Sequence, residues 1–276
     1  MTIVEVLKLS TEHLDKHGSD SPRLDAELLL AHALGVRRLD LYLRFDHQLS
    51  ETELASYRSL IARRAKREPV AYVVGRKEFM GLDFIVTPSV LVPNPDTEVL
   101  VQLAVGIARE AGRTIRVADI GTGSGCIAIA VAHYATNAEV WATDVSREAL
   151  DVAALNVSAR GLQDRVHLDC GDMMDPLSGS FDLVCANLPY IAPHTPLSPE
   201  VVAQPAAALY SEQDGAGLVI RLLEEAAPRV NPEGRVLGEI DPSIMPAVVA
   251  AAGRSYTHQR VHRDLGGRER VIEAWS

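Results

Sequence analysis

Ile115-Arg116-Val117-Ala118-Asp119-Ile120-Gly121-Thr122-Gly123-Ser124-Gly125 starts as an apolar run and ends as a glycine loop. The run reads as a buried strand, and Cys126 to Tyr134 as the helix behind the loop. Strand, glycine loop and helix together form a cofactor-binding unit, because glycine lets the backbone approach a ligand closely. The spacing is G-x-G-x-G, so a dinucleotide pyrophosphate is not specifically indicated. A sharp turn with no ligand is the plainer alternative. A second strand, Glu139 to Thr143, ends in Asp144, roughly 20 residues after the loop, where a carboxylate suits a ribose diol. Asp144 also precedes a helix from about Ser146 to Arg160, so a capping role stays open.

A third strand, Val166 to Leu168, leads to Asp172 and Met173. Asp172 suits a purine amino group and Met173 the face of the ring, with core packing as the ordinary role of a methionine. The fourth strand, Phe181 to Ala186, delivers Asn187-Leu188-Pro189-Tyr190 to its C-terminal end, where open α/β sheets bind ligands. The chemistry that suits this tetrapeptide is methylation of a planar nitrogen. The Asn187 oxygen and the Leu188 carbonyl would accept the two hydrogens of an amide and stabilise charge developing on nitrogen. Pro189 stiffens the turn and Tyr190 would wall the planar group by stacking. Further on, a Pro-rich loop from Ile191 to Pro205 would form part of the rim. A helix from Gly217 to Ala227, a strand from Gly234 to Ile240 and a helix from Ser243 to Ala252 follow. Tyr256 to Val261 and Glu269 to Ala274 read as a final antiparallel pair around Gly266-Gly267.

Upstream, residues 1 to about 70 read as helices. Ile3, Val6, Leu7 and Leu14 fall near helical spacing. Ser21 and Pro22 open the next helix, whose inward stripe is Leu24, Leu28 and Ala31, and Gly35 ends it. A further helix from Glu51 to Arg67 turns Leu54, Tyr57, Leu60 and Ile61 inward. Its other face carries Arg58, Arg63, Arg64, Lys66 and Arg67, either a solvated face or a contact for RNA or an acidic partner. Ala71 to Gly75 and Phe79 to Val86 read as two short strands of a hairpin. In Pro93-Asn94-Pro95-Asp96-Thr97-Glu98, Asp96 or Thr97 would cap the following helix, and the segment would also suit a pocket mouth.

The 276 residues allow one large domain or a large and a small one. The formal net charge of −10 argues against overall electrostatic attraction to nucleic acid. Cys126, Cys170 and Cys185 lack metal-ligand spacing and read as reduced core thiols of a cytosolic protein. No basic-then-apolar leader and no membrane-length apolar run is apparent, so a cytoplasmic protein is expected.

The ordered set Asp119 to Gly125, Asp144, Asp172 and Asn187 to Tyr190 resembles class I S-adenosylmethionine-dependent amino-methyltransferases. Pro22-Arg23-Leu24-Asp25-Ala26-Glu27-Leu28-Leu29-Leu30, Glu68-Pro69-Val70-Ala71-Tyr72 and Pro95-Asp96-Thr97-Glu98 narrow the resemblance to the bacterial HemK/PrmC family. It covers nearly the whole chain. It implies an α/β fold with a Rossmann-like seven-stranded sheet over 93–276, a small N-terminal helical substrate-recognition domain over 1–70 and a β-hairpin linker over 71–92. It also implies transfer of methyl from S-adenosylmethionine, leaving S-adenosylhomocysteine, to the N5 nitrogen of the Gly-Gly-Gln glutamine of class I peptide chain release factors. No metal is implied.

Position by position, Gly121, Thr122, Gly123, Ser124 and Gly125 would line the methionine part of the cofactor. Asp144 would bind the ribose, Asp172 and Met173 would border the adenine, and Asn187 would touch both cofactor and substrate. Leu188, Pro189 and Tyr190 would complete the glutamine site, with Asn187 and Tyr190 as its catalytic pair. The chain departs from the family pattern at Leu188 (usually proline), Asn94 (usually arginine) and Gln204 (usually glutamate), which bears on substrate identity more than on cofactor binding. An amino-methyltransferase acting on another protein, a small molecule or a nucleic-acid amine, and a non-catalytic binding module, are the other readings.

Overall fold

The computed structural model describes residues 1–276, apart from the side chain of Gln213. The chain forms two compact units, Met1–Arg76 with Leu197–Ala203, and Lys77–Pro196 with Gln204–Ser276.

The first unit is helical: α1 (Ile3–Lys16), α2 (Pro22–Leu34), α3 (Arg38–Leu43), α4 (Glu51–Ala65) and α5 (Val70–Val74). Thr2 and Ser50 close capping boxes on α1 and α4 through Glu5 and Glu53. Leu14, Leu29, Leu30 and Tyr57 are at the centre of its core. The inward stripe of α2 differs from the hydropathy expectation. Leu24 and Leu28 are 40% and 38% exposed, whereas Asp25, Ala26, Glu27, Leu29 and Leu30 are buried. Carboxylates outcompete leucines here because each has cationic partners. Asp25 accepts from Arg64 Nε at 2.7 Å and from the Ser19 hydroxyl. Glu27 pairs with Arg23 and Arg38 and accepts from the Tyr42 hydroxyl. A buried charge is tolerated only with such partners.

The basic face of α4 is likewise engaged within the chain. Arg64 is buried against Asp25 and Glu200, Arg67 also pairs with Glu200, and Arg63 pairs with Glu68. Burial raises the Glu200 pKa, but the Arg67 and Arg64 hydrogen bonds more than offset it and hold it at about 2. Neither a solvated face nor a free cationic surface describes these three arginines. The segment 71–75 is also not a strand. Its Val and Tyr residues favour strands in general, yet Pro69 precedes α5 and Gly75 terminates it at φ 73°. The hairpin lies entirely beyond it, as β1 (Arg76–Phe79) and β2 (Leu82–Ile85).

In the second unit, the 3₁₀ turn Pro95–Thr97 leads into α6 (Glu98–Glu110). Then come β3 (Ile115–Ile120), α7 (Cys126–Tyr134), β4 (Ala138–Asp144), α8 (Arg147–Ala159), β5 (Val166–Cys170) and β6 (Phe181–Ala186). After the short α9 (Pro199–Val202), which belongs to the helical unit, come α10 (Gly217–Ala226), β7 (Val230–Glu239), α11 (Met245–Ser255), β8 (His258–Arg263) and β9 (Glu269–Trp275). The strands form one seven-stranded sheet in the order β5-β4-β3-β6-β7-β9-β8. β5 through β7 run parallel, and β9 is antiparallel to both β7 and β8.

β3 is buried along almost its whole length, as expected for a central parallel strand covered on both faces. The chain runs outward from β3 to β5, then returns to β6 on the other side of β3, so the strand order reverses there. Such a reversal opens a crevice at the carboxyl ends of the strands. Because Ile120 pairs with Ala186 in register, the glycine loop and Asn187 emerge side by side at that crevice. Of the cysteines only Cys185 is buried. Cys126 is half-buried, and Cys170 is exposed because it ends an edge strand. No helix among the described residues is long and apolar enough to cross a membrane.

Candidate active site

A cavity of about 300 Å³ opens at the carboxyl ends of β3, β4 and β6. This is at the small end of the range for small-molecule sites. Of the residues singled out from sequence, Gly121, Thr122, Gly123, Ser124, Asp144, Asp172, Met173, Asn187, Leu188 and Pro189 line it. Gly125 and Tyr190 are not among the lining residues. Gly125 is the N-cap of α7, at φ 80°.

The glycine loop is held from below. The Gly121 and Thr122 N–H groups both donate to the Thr143 carbonyl at 2.9 Å. Asp119 Oδ2 accepts from the Thr122 hydroxyl at 2.6 Å and from the Ala128 N–H at 3.1 Å. Burial drives the Asp119 carboxyl up to about 7 despite those two donors. Gly121 has φ 72°, and a Cβ there would sit 2.9 Å from Leu188 Cδ2. The position therefore needs glycine both for its backbone and for room against Leu188. The Leu188 side chain is buried in the sheet core, so this leucine packs the tetrapeptide against the loop.

Asp144 shows how one residue can serve as both cap and ligand group. Its Oδ2 accepts from the Gly123 N–H and its Oδ1 from the Ser146 N–H, each at 2.9 Å. Helix α8 itself is capped by the Ser146 hydroxyl. A carboxylate has about four acceptor directions, so Asp144 is oriented by two backbone donors and keeps acceptor capacity toward the cavity. That arrangement suits two vicinal hydroxyls. Met173 adopts φ 47°, unusual for a residue with a side chain, and its carbonyl accepts from the Thr143 hydroxyl at 2.8 Å. Such strained backbone concentrates at functional sites. Asp172 is half-exposed and pairs with Arg221 of α10 at 2.8 Å, which leaves its second oxygen for a ligand.

At Asn187, Nδ2 donates to the Thr97 hydroxyl at 3.0 Å. Its Oδ1 accepts no hydrogen bond among the described residues. Asn94 lines the cavity mouth and caps the 3₁₀ turn, its Oδ1 accepting from the Asp96 N–H at 3.1 Å. Asn94 thus caps the 3₁₀ turn, while Thr97 occupies the N-cap position of α6 without a side-chain capping bond. The Gln204 amide oxygen accepts from the Val92 N–H at 2.9 Å. Two of the three departures from the family pattern therefore accept a backbone N–H, Asn94 from its own turn and Gln204 from a residue distant in sequence.

Sequence reasoning missed two groups. Asn156 is buried and joins the Ile85 N–H and carbonyl of β2 to the Ser124 carbonyl of the loop. A lone Asn within the apolar positions of α8 was its only signal. Glu239, at the end of β7, is fully buried. It accepts from the Tyr190 hydroxyl at 3.4 Å, and the Thr97 hydroxyl faces it. Burial raises its pKa to about 7, with the Thr97 hydrogen bond and Arg270 pulling the other way. An acidic residue inside the run Val236-Leu237-Gly238-Glu239-Ile240 was the legible sign.

Residues 5–75 match the family model described as "PrmC N-terminal domain", and residues 96–220 the one described as "Methyltransferase small domain". A release factor glutamine methyltransferase of Rhodopirellula baltica is 39% identical over 283 residues, spanning 98% of this chain and 95% of that protein. The Geobacter sulfurreducens protein of the same name is 44% identical over 244 residues, spanning 87% and 84%. Among solved structures, a methyltransferase from Pyrococcus furiosus aligns with a TM-score of 0.57 at 20% identity over 77% of this chain and 97% of that one. The hMettl16 catalytic domain aligns with a TM-score of 0.58 at 20% identity over 79% and 81%. These two structural likenesses establish the fold, a class I methyltransferase sheet. With full-length similarity to the curated proteins, they make this chain an enzyme of the release factor glutamine methyltransferase family.

Proposed function

We propose that the protein methylates the side-chain amide nitrogen of the glutamine in the Gly-Gly-Gln motif of class I peptide chain release factors, using S-adenosylmethionine. The single observation that carries this is the Asn187 amide, tethered through its nitrogen and open at its oxygen, beside a glycine-loop cavity. When bound, the cofactor supplies an electrophilic methyl group. Gly121 to Ser124 would border its methionine part, Asp144 would accept from its ribose hydroxyls, and Asp172 and Met173 would flank its adenine.

The glutamine amide nitrogen is a weak nucleophile because its lone pair is delocalised into the carbonyl. Asn187 Oδ1 and the Leu188 carbonyl each accept one of its hydrogens and fix its direction of approach. As the nitrogen–carbon bond forms and the carbon–sulfur bond breaks, positive charge on nitrogen is stabilised by the same two acceptors. One amide proton then leaves to solvent. Pro189 stiffens this turn. Tyr190 supports it from behind through its hydroxyl bond to Glu239. The helical unit, matching the N-terminal family model, grips the protein substrate away from the reacting glutamine, and that remote binding offsets the poor nucleophile.

The test is transfer of labelled methyl from S-adenosylmethionine to purified release factors, wild type and with the Gly-Gly-Gln glutamine replaced. Label on the wild-type factor alone is the expected result. Label on both, or on neither when the cofactor binds, directs the enzyme to another substrate.

A further inference from the structure

An asparagine side chain is nearly symmetric in shape, so a site that uses its oxygen must distinguish oxygen from nitrogen. Thr97 sits where it would ordinarily cap α6, yet its side chain makes no capping hydrogen bond to that helix. The hydroxyl is buried and turned instead toward Asn187 and Glu239. A threonine withdrawn from its local duty and given two remote partners is engaged in something other than helix termination.

We propose that Thr97 and Glu239 are positioning residues that set the polarity of the Asn187 amide, a role that rests on the reading of Asn187 as the acceptor for the substrate amide. An ionised carboxylate only accepts hydrogen bonds. With Glu239 ionised, the Thr97 proton goes to Glu239, and the hydroxyl presents only lone pairs to Asn187. Those lone pairs require N–H from Asn187, so Nδ2 turns inward and Oδ1 turns to the cavity. The flipped amide would set oxygen against oxygen.

Burial favours the neutral form of Glu239, and the groups around it favour the charged one. Arg270 of β9, only 5% exposed, is the cation facing it, shared with Asp96 at 3.1 Å and Asp264 at 3.4 Å. The Tyr190 hydroxyl donates to it, and Asp96 and Cys126 are the other titratable groups close enough to interact with it. Three segments far apart in sequence, the turn before α6, the end of β6 and the end of β7, converge on one directed chain of hydrogen bonds.

The experiment compares wild type, Thr97→Val and Thr97→Ser in the full chain. Methyl transfer to a release factor is measured together with heteronuclear NMR of the Asn187 side-chain amide in the free protein. Thr97→Val keeps the shape and removes the hydroxyl. It is expected to lower kcat about 10–100-fold, the range for groups that orient a ligand without touching the reacting atoms. The KM for S-adenosylmethionine stays unchanged, and the amide proton that donates to Thr97 moves and exchanges faster. Thr97→Ser recovers both the rate and the resonance. An Asn187 resonance unmoved by Thr97→Val, or moved equally by both substitutions, overturns the proposal. The NMR arm needs no substrate. If wild type labels no release factor while the resonance behaves as expected, the glutamine assignment fails and the relay stands.

Discussion

At the start of β6, Asp182 is saturated. It accepts from the Arg113 guanidinium, the Arg116 N–H and the Asn231 amide. At the other end of the sheet, Asp119 and Glu239 each keep one oxygen with no partner among the described residues, although both are completely buried. The pKa values follow. Burial raises Asp182, but its donors more than offset that and bring it to about 2. Burial prevails at Asp119 and Glu239 and takes both to about 7. One end of the sheet uses a carboxylate to clamp strands. The other leaves acceptors unsatisfied next to the cavity, at a cost in stability that a purely structural site would not carry.

The largest effect is expected at the open end. Asn187→Ala removes one of two acceptors on the developing charge and should lower kcat by about 10²–10³, as loss of one pre-organised partner does elsewhere, with an unchanged circular dichroism spectrum. Next comes the clamp. Asp182→Ala strands Arg113 and Asn231 and should cost about 2–3 kcal/mol in denaturant unfolding while leaving cofactor affinity intact. Equal loss of activity in both variants at low temperature would erase the distinction between the two ends.

Stability against pH sharpens the contrast further. Asp182 has a folded pKa below its unfolded value of ~3.9, so its contribution is present above about pH 4 and is lost as pH falls toward 2. Asp119 and Glu239 have folded values above their unfolded ~4, so their contribution is complete below that and is lost as pH rises through 7. Asp182→Asn should flatten the acid limb of a melting-temperature profile, and Glu239→Gln the limb between about pH 4 and 7. The smallest effect belongs to Asn94→Ala, which removes the 3₁₀ cap and should cost about 0.5–1 kcal/mol, measured by the same melting profile, with turnover changed little.

The parallel strands and the glycine loop were legible because central strands and sharp turns are specified locally, by apolar runs and by glycines. Asp144 and Asn187 were legible for the same reason, since one ends a strand and the other follows one directly. Thr97 was read only as a cap, because its real partners lie 90 residues away in Asn187 and in Glu239 on another strand. The inward face of α2 was misread because hydropathy has no means of anticipating that Arg64 and Arg38 neutralise Asp25 and Glu27. Ala71 to Gly75 follows strand propensity in its residue types and helix geometry in its context. At Thr97 and α2 a long-range partner overrode a local preference, and at α5 the flanking Pro69 and Gly75 did.

The most direct measurement is the position of the methyl group. After incubation of a release factor with the enzyme and S-adenosylmethionine, peptide fragmentation by mass spectrometry should place a single methyl on the side-chain nitrogen of the Gly-Gly-Gln glutamine. It should be absent when Asn187→Ala replaces wild type. A methyl on any other residue, or one that Asn187→Ala delivers as well as wild type, would contradict the account.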